Sequence, residues 1–422
     1  MINQHEIPQK GSITVIVATF NRANYLTETL NAIFAQTREV AQIIVWNDGS
    51  TDSTESVIEQ IVADNPHANL MHFHGRNKGK SAALNQAMKH ATGDYIWICD
   101  DDDIARPDAV ERMAKVLDTQ AVGVVGGRHQ RFTTLPDGTG KQFLGTGYWP
   151  DLRVGSPARH IFEDVYFFQN AALVRRSCYS TVGPFREDIK RSIDYEMFVR
   201  LALRFPIAII DDILFEQRKH EGLRGPATDL HDPKQSEIIW QKNDSLIFAD
   251  LRDSIPLSFY QSFFDIADTD LSRRVAFLQR GCVYARKNLW SDALADFQTG
   301  LTLAPDIELT ADEKAIAIRT MAGKSGNATA YSGETRRALL DLRNLGPVGK
   351  SFAKHLARAS IWRLREALTD KKFSLATKIV LFCAQTGLAR RRKDTNNNAI
   401  TERRVLSYNT VLSNLERNKD PR

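Results

Sequence analysis

A nearly unbroken β-branched run from Ile13 to Thr19 (ITVIVAT) opens the patterned part of the chain. Such a run predicts a strand covered on both faces, since a half-exposed strand would alternate apolar and polar residues. Apolar positions then recur at helical spacing at Leu26, Leu30, Ile33 and Phe34, which predicts a helix from Tyr25 to Gln36 with Asn24 as its cap. The alternation continues with a strand from Gln42 to Trp46, helical periodicity from Ser53 to Ala63 and a short strand from Leu70 to His74. A helix from Gly79 to His90, a strand from Tyr95 to Cys99, a helix opened by Pro107 and running through Leu117, and a strand from Val122 to Gly126 come next. Strand and helix exchanging every 20 to 30 residues or so predict βαβ units. From Arg128 to Asp164 the pattern gives way to glycine, proline and aromatic residues, which reads as a long irregular binding or mobile loop. Strands from Phe168 to Val174 and from Ile207 to Ile213, with a helix from Ile193 to Arg204 between them, complete the first domain.

The expected fold class is therefore α/β, a mostly parallel sheet flanked by helices and followed by an all-helical C-terminal domain. At about 150 residues per domain, 422 residues allow this modular division. The expected boundaries are an N-terminal extension at 1–11, the α/β domain at 12–245, the helical domain at 246–389 and a basic tail at 390–422. A composition of 42% hydrophobic and 25% charged residues excludes a collagenous, low-complexity or wholly disordered chain. The four cysteines form no CxxC pair and no Cys/His cluster, so neither a disulfide framework nor a structural zinc site is indicated, and a reducing compartment fits best. The tail holds nine basic and four acidic residues, a surplus equal to the net charge of +5 for the whole chain. The main body is near neutral, which argues against a nucleic-acid-reading surface and leaves the tail for solubility, an anionic membrane or a partner. Met1 to Ser12 lacks the apolar core of a secretory signal. Phe373 to Ala389 is too polar to span a bilayer and reads as a helix packed on protein or lying at an interface. A cytoplasmic protein, with peripheral contact to the inner face of the membrane left open, is expected.

Parallel sheets of this kind bind ligands beyond the carboxyl ends of their strands, and three polar clusters fall there: Thr19 to Arg22, Asn47 to Asp52, and Asp100 to Asp103. Four consecutive aspartates after an apolar strand repel one another and raise their own pKa values unless a cation lies between them. Hard oxygen ligands at a sheet mouth suit Mg²⁺ or Mn²⁺ bridging a diphosphate. A solvated turn with one capping aspartate explains one acid and not four. Gly79-Lys80-Ser81 imitates the end of a P-loop, but that motif needs glycine where His74 stands.

Taken in order, Val15 to Arg22, Asn47 to Asp52, Asn77-Lys78-Gly79-Lys80-Ser81 with Ala83-Leu84-Asn85, and Asp100 to Asp103 with Pro107 resemble family 2 glycosyltransferases over about residues 12 to 225. The resemblance implies an inverting enzyme of the Rossmann-like GT-A fold that uses a nucleoside diphosphate sugar, most often a UDP-sugar. It implies that Thr19, Asn21, Arg22 and Asp48 hold base and ribose, and that Lys80 faces the diphosphate. Asp100 and Asp102 match the family's DxD motif, with Asp102 as the firmer metal ligand, Asp100 near ribose and metal, and Asp101 and Asp103 beside the sugar or its loop. Inversion needs a general base opposite the leaving group. Asp194 matches it at the start of a helix, with Ile193 in place of the usual glutamate and with Glu196 and Arg200 as supporting positions. His220 falls where relatives place a histidine near the metal, and Trp149 stands in the expected acceptor loop. The sequence Gln-x-x-Arg-Trp is missing there, which argues against a processive synthase.

Together these imply metal-dependent transfer of one sugar to a glycan or lipid-linked glycan in bacterial surface polysaccharide or lipopolysaccharide synthesis, without nucleic acid as a partner. The alternatives are a nucleotidyltransferase, which should show a basic glycine-rich loop after the first strand, and a non-catalytic glycan-binding or assembly protein. In the C-terminal half, Gly281, Tyr284, Ala293, Phe297 and Pro305 resemble one tetratricopeptide repeat at about 272–305, implying a helical hairpin able to dock a protein or membrane partner.

Overall fold

The computed structural model describes residues 10–135, 140–219, 236–267, 269–323 and 328–387. They fall into two compact units: one runs to Trp149 and resumes over Ser156–Ile255, the other takes Pro150–Gly155 and the described residues from Pro256 onward.

The first unit begins β1 (Ile13–Thr19), α1 (Ala23–Phe34), β2 (Gln42–Asn47), α2 (Thr54–Asp64), β3 (Leu70–His74), α3 (Lys80–Met88) and β4 (Tyr95–Asp100). It continues β5 (Ile104–Ala105), α4 (Ala109–Thr119), β6 (Val124–Thr134), β7 (Lys141–Thr146), α5 (Pro157–Glu163), β8 (Ala172–Arg175), α6 (Arg176–Val182), α7 (Ile193–Ala202), β9 (Ile207–Arg218) and α8 (Ser236–Leu251). One mixed sheet runs in the order β3-β2-β1-β4-β8-β6-β9-β5, with β7 paired to β6. Its first four strands are parallel, whereas β8 is antiparallel to both neighbours and separates them from the parallel pair β6 and β9.

Register decides where the chemistry lies. Thr19 is level with Asn47, and Ala18 with Asp100, so the polar clusters after β1, β2 and β4 meet at one edge. The apolar run of β1 is buried as its pattern requires, and Val15, Val17, Leu26, Leu30, Trp97 and Met113 share one core. Each such side chain stabilises the fold by about 1.5–3 kcal/mol relative to exposure, which holds the strand ends as a rigid platform.

Three expectations are corrected. Asn24 does not cap α1; the helix starts at Ala23 with Arg22 as its N-cap residue, and no capping side chain serves it. Instead Thr54 of α2 accepts from the Arg22 N–H at 3.0 Å, so a neighbouring helix anchors the turn. The stretch from 128 to 164 is largely regular: β6 extends to Thr134, β7 returns beside it, and α5 comes after. Its glycines mark local geometry, since the β6–β7 register shifts at Arg131/Phe132 opposite Gly145, which has φ +84°. Finally, β9 runs five residues beyond Ile213 to Arg218, because it pairs with the long β6.

All regular elements described in the second unit are helical: α9 (Leu257–Gln261), α10 (Asp270–Arg286), α11 (Trp290–Thr302), α12 (Ala311–Met321), α13 (Gly333–Asp341), α14 (Gly346–Thr369) and α15 (Phe373–Gln385). A Cβ on Gly281 would stand 2.5 Å from the Phe297 ring, so the close approach of α10 and α11 requires glycine there. Arg274 and Glu313, 0% and 1% exposed at their side chains, form a two-bond ion pair at 2.7 and 2.9 Å. The Arg274 guanidinium also donates to the carbonyls of Ala304 and Ile307, which satisfies donors that burial would otherwise leave unpaired. Among the described residues no helix is long and apolar enough to cross a membrane.

Candidate active site

The turn after β1 is tied to the loop after β2. Asn21, in the left-handed region at φ 53°, accepts from the Thr51 N–H at 2.8 Å, and its own N–H donates to the Ser50 hydroxyl at 2.9 Å. The buried Asp48 carboxylate accepts from the Lys78 and Gly79 N–H groups at 3.0 and 2.8 Å, thereby holding the turn that starts α3. Burial pushes Asp48 above its ordinary pKa, and those two backbone donors oppose the rise. Gly49 must be glycine twice over: its φ is +74°, and a Cβ would lie 2.8 Å from the Asn77 nitrogen.

The aspartates after β4 are sorted by their partners. Lys80, the first residue of α3, pairs with Asp100, while the Arg22 guanidinium lies 3.7 Å from both Asp101 and Asp102. Asp103 turns inward and accepts from the Asn170 amide at 2.9 Å and from the Arg218 N–H at 2.7 Å. Asn170 also accepts from the Asp100 N–H at 2.9 Å, so one side chain grips both ends of the acid loop. The Arg218 side chain donates to the Asp102 carbonyl at 3.0 Å and pairs with Glu28. Neither Asn170 nor Arg218 is singled out by the sequence. The adjacent amides Gln169 and Asn170 inside an apolar run are the only signal for Asn170, and Arg218 becomes legible once β9 is known to extend to it.

The negative charge remains incompletely balanced. Burial and then the Asp102 carboxylate push Asp101 up to about 7, against the pull of Arg22 and Thr19. Burial, Asp102 and Asp100 likewise push Asp103 well up. For Lys80 burial works toward the neutral form, but Asp100, Asp194 and Asp101 outweigh it and hold the ammonium above its ordinary value.

Asp194 enters from another direction. Ser192, left-handed at φ 55°, turns the chain into α7, and Asp194 stands in that helix's first turn with its carboxylate accepting from the Tyr195 N–H at 2.9 Å. Burial raises its pKa, Lys80 lowers it, and Asp100 raises it, so α7, α3 and β4 bring Asp194, Lys80 and Asp100 into one electrostatic group. Glu196 and Arg200 form a two-bond pair at 2.7 and 2.8 Å, and Arg200 also donates to the carbonyls of Val182 and Pro184. This pair clamps the base of α7 to the segment after α6. Trp149 lies under the Arg128 guanidinium, 4.9 Å from ring centre to carbon, and edge-on to Tyr166 at 5.3 Å. His220 lies outside the described residues.

Among the described residues no three His, Cys, Asp or Glu side chains converge as a protein-only metal site. The donors present still fit Mg²⁺ or Mn²⁺, because such ions are commonly held by one or two carboxylates and take their remaining ligands from water and substrate phosphates. Asp100 and Asp102 are hard oxygen donors in a cluster whose raised pKa values show room for more positive charge.

A family model described as glycosyl transferase family 2 matches residues 14–180. The Bacillus subtilis (strain 168) protein YwdF, described as an uncharacterized glycosyltransferase, is 30% identical over 199 residues, 45% of this chain and 68% of that one. A Pasteurella multocida (strain Pm70) chondroitin synthase is 28% identical over 200 residues, 47% of this chain but only 19% of the synthase's length. Among solved structures, S. aureus TarS aligns over 93% of this chain and 57% of its own, at 15% identity and a TM-score of 0.46.

Proposed function

The chain belongs to glycosyl transferase family 2, and on that premise we propose that it transfers one sugar from a UDP-sugar to a hydroxyl of a glycan or lipid-linked glycan, with inversion at the anomeric carbon. The similarity to a chondroitin synthase supports a place in bacterial surface polysaccharide or lipopolysaccharide synthesis. The observation that carries the reading is the Lys80–Asp100 ion pair between α3 and β4, electrostatically coupled to Asp194 of α7. A base, a cation and a DxD carboxylate at the carboxyl edge of a parallel sheet are the parts that sugar transfer from a diphosphate needs.

In the proposed reaction the acceptor oxygen forms a bond to the anomeric carbon while its proton passes to the Asp194 carboxylate. The bond from that carbon to the diphosphate oxygen breaks, and the electron pair leaves with the diphosphate. Burial makes Asp194 a stronger base than an exposed aspartate, while Lys80 favours its ionised form. The Lys80 ammonium is placed to face charge developing on the diphosphate. When bound through Asp100 and Asp102, Mg²⁺ or Mn²⁺ would supply further positive charge against that leaving group. Thr19, Asn21, Arg22 and Asp48 line the nucleoside side, with Asn21 and Asp48 acting through the loops they hold. Asp101 and Asp103 keep the acid loop's charge and shape. Trp149 offers an aromatic face for an acceptor ring, and Glu196 with Arg200 supports α7. The α10–α11 hairpin, read as a single tetratricopeptide-like unit, draws support from Gly281 facing Phe297.

The test is thermal unfolding with UDP, GDP, dTDP and CMP, each with and without Mn²⁺, on the parent, Asp102→Ala and Asp194→Asn. UDP should stabilise the parent only with metal, fail to stabilise Asp102→Ala, and still stabilise Asp194→Asn, which should have lost transfer to acceptor. Full transfer by Asp194→Asn would overturn its assignment as the base, and indifference of the parent to every nucleotide would favour a non-catalytic binding protein.

A further inference from the structure

The helix α15 carries two apolar stripes, and only one is buried. Ala376, Ile379 and Phe382 pack inward. Phe373, Val380 and Leu381 expose 64%, 49% and 47% of their surface. Positions 373, 377, 380, 381 and 384 are spaced so that they share one helix face, which makes Phe373, Val380 and Leu381 parts of one outward stripe. The preceding helix α14 carries a mixed basic and apolar stripe. Lys354, Arg358, Ile361, Arg365 and Leu368 are all exposed and separated by four, three, four and three residues, so they too share one face.

The charge around these stripes has one sign. Residues 346–387 contain eight Lys and Arg and two acids, and both acids are already paired, Glu366 with Arg363 at 2.6 Å and Asp370 with Lys372 at 3.0 Å. Between 371 and 387 the sequence has no carboxylate, only the cations Lys371, Lys372 and Lys378. Those three lysines and Phe373 border a shallow cleft of about 690 Å³ that also has Thr329 and Ser332 on its wall. The chain then continues into Arg390-Arg391-Arg392-Lys393.

We propose that the α14–α15 hairpin is a membrane-surface element that lays its outward apolar stripes into the headgroup region of an anionic bilayer, with lysines of the cleft on lipid phosphates. Charge complementarity selects this occupant. A second copy would bring two strongly basic faces together, and a nucleic acid would leave the apolar stripe in water. Exposed apolar residues flanked by Lys and Arg, on a helix that keeps a second apolar face packed against its own fold, suit binding in the plane of a membrane. At about 1.5 Å per residue, the 13 residues of α15 reach about 20 Å, short of the ~30 Å hydrocarbon core, so the helix lies on the bilayer and does not cross it. This inference deepens the reading of a lipid-linked or membrane-proximal acceptor. Its test uses no donor or acceptor, so either idea can fail alone.

The experiment is co-sedimentation of the full chain with phosphatidylcholine vesicles and with vesicles containing about 40% phosphatidylglycerol, at about 0.1 and about 0.5 M salt. Binding is expected only to the anionic vesicles and should fall at least about tenfold at the higher salt. Val380→Ser/Leu381→Ser and, separately, Lys371→Glu/Lys378→Glu should each weaken it about tenfold or more, while Ile238→Ser in the first unit leaves it unchanged. Thermal unfolding like the parent's shows that the charge-reversal variant, whose changes lie at exposed positions, is folded. Absence of vesicle binding, or parent-like binding by both double variants, overturns the proposal. So does binding that disappears only when Arg390 to Lys393 are replaced, which assigns the contact to the tail. Self-association lost in Val380→Ser/Leu381→Ser without vesicle binding assigns the face to a second copy.

Discussion

Replacing Asn170 by alanine tests whether one buried amide holds the acid loop in shape. Its side chain, 3% exposed, accepts from the Asp100 N–H and donates to the Asp103 carboxylate, both at 2.9 Å. Alanine removes both bonds and offers nothing in return, while the Asn170 carbonyl that accepts from the Trp97 indole at 2.8 Å is retained. An unsatisfied buried N–H costs about 1–3 kcal/mol, and a lost hydrogen bond to a charged group about 1.5–3 kcal/mol. Relaxation and water entry recover part of that sum, so the expected loss is about 3–4 kcal/mol. It should appear as a lower urea midpoint with an unchanged slope, and as faster hydrogen exchange in the peptide spanning residues 95–105. The metal-dependent UDP binding proposed above should weaken as well, because Asp100 and Asp102 lie in the loosened loop. Asn170→Asp, which keeps an acceptor for Asp100 but sets a carboxylate against Asp103, should be no more stable than Asn170→Ala. A loss of less than about 0.5 kcal/mol with unchanged exchange would refute the reasoning, since it would mean that the loop is held without this amide.

Four further outcomes are expected. The Asp194 pKa is raised by burial and Asp100 and lowered by Lys80, so a base that works ionised loses activity as pH falls through a value above 3.8; Lys80→Met should move the acid limb of kcat/KM to higher pH. The same raised pKa makes a contribution to stability that is present below the unfolded value and lost as pH rises through the folded one, and Asp194→Asn should remove it from a pH series of unfolding midpoints. Gly49→Ala forces a side chain into the left-handed region and 2.8 Å from the Asn77 nitrogen, so urea unfolding should show a loss of at least about 2 kcal/mol. Arg274→Met leaves the buried Glu313 without its partner, and should destabilise the helical unit by about 3–5 kcal/mol, measured by hydrogen exchange of its helical peptides across a urea series.

The order of strands and helices through β4 was legible because each element carries its own signal: a β-branched run for β1, helical spacing in α1, and polar residues where the strands stop. The polar edge of the sheet was legible for the same reason, since Thr19, Asp48 and Asp100 directly follow or close apolar strands. Patterns fail where an element is defined by a distant partner. The extension of β9 to Arg218 depends on pairing with β6, and the regularity of 128–164 depends on a hairpin whose glycines look like loop residues in a linear text.

Local periodicity reports only which face of a segment is apolar, so the sequence by itself determined the βαβ alternation, the helical second half and the identity of the acids. Tertiary structure decided which cation meets which acid: Lys80 on Asp100, Arg22 between Asp101 and Asp102, and Asn170 and Arg218 beneath Asp103. Those partners lie up to 115 residues apart in the chain, and only the register of the strands and the insertion of antiparallel β8 bring them within hydrogen-bonding or ion-pairing distance.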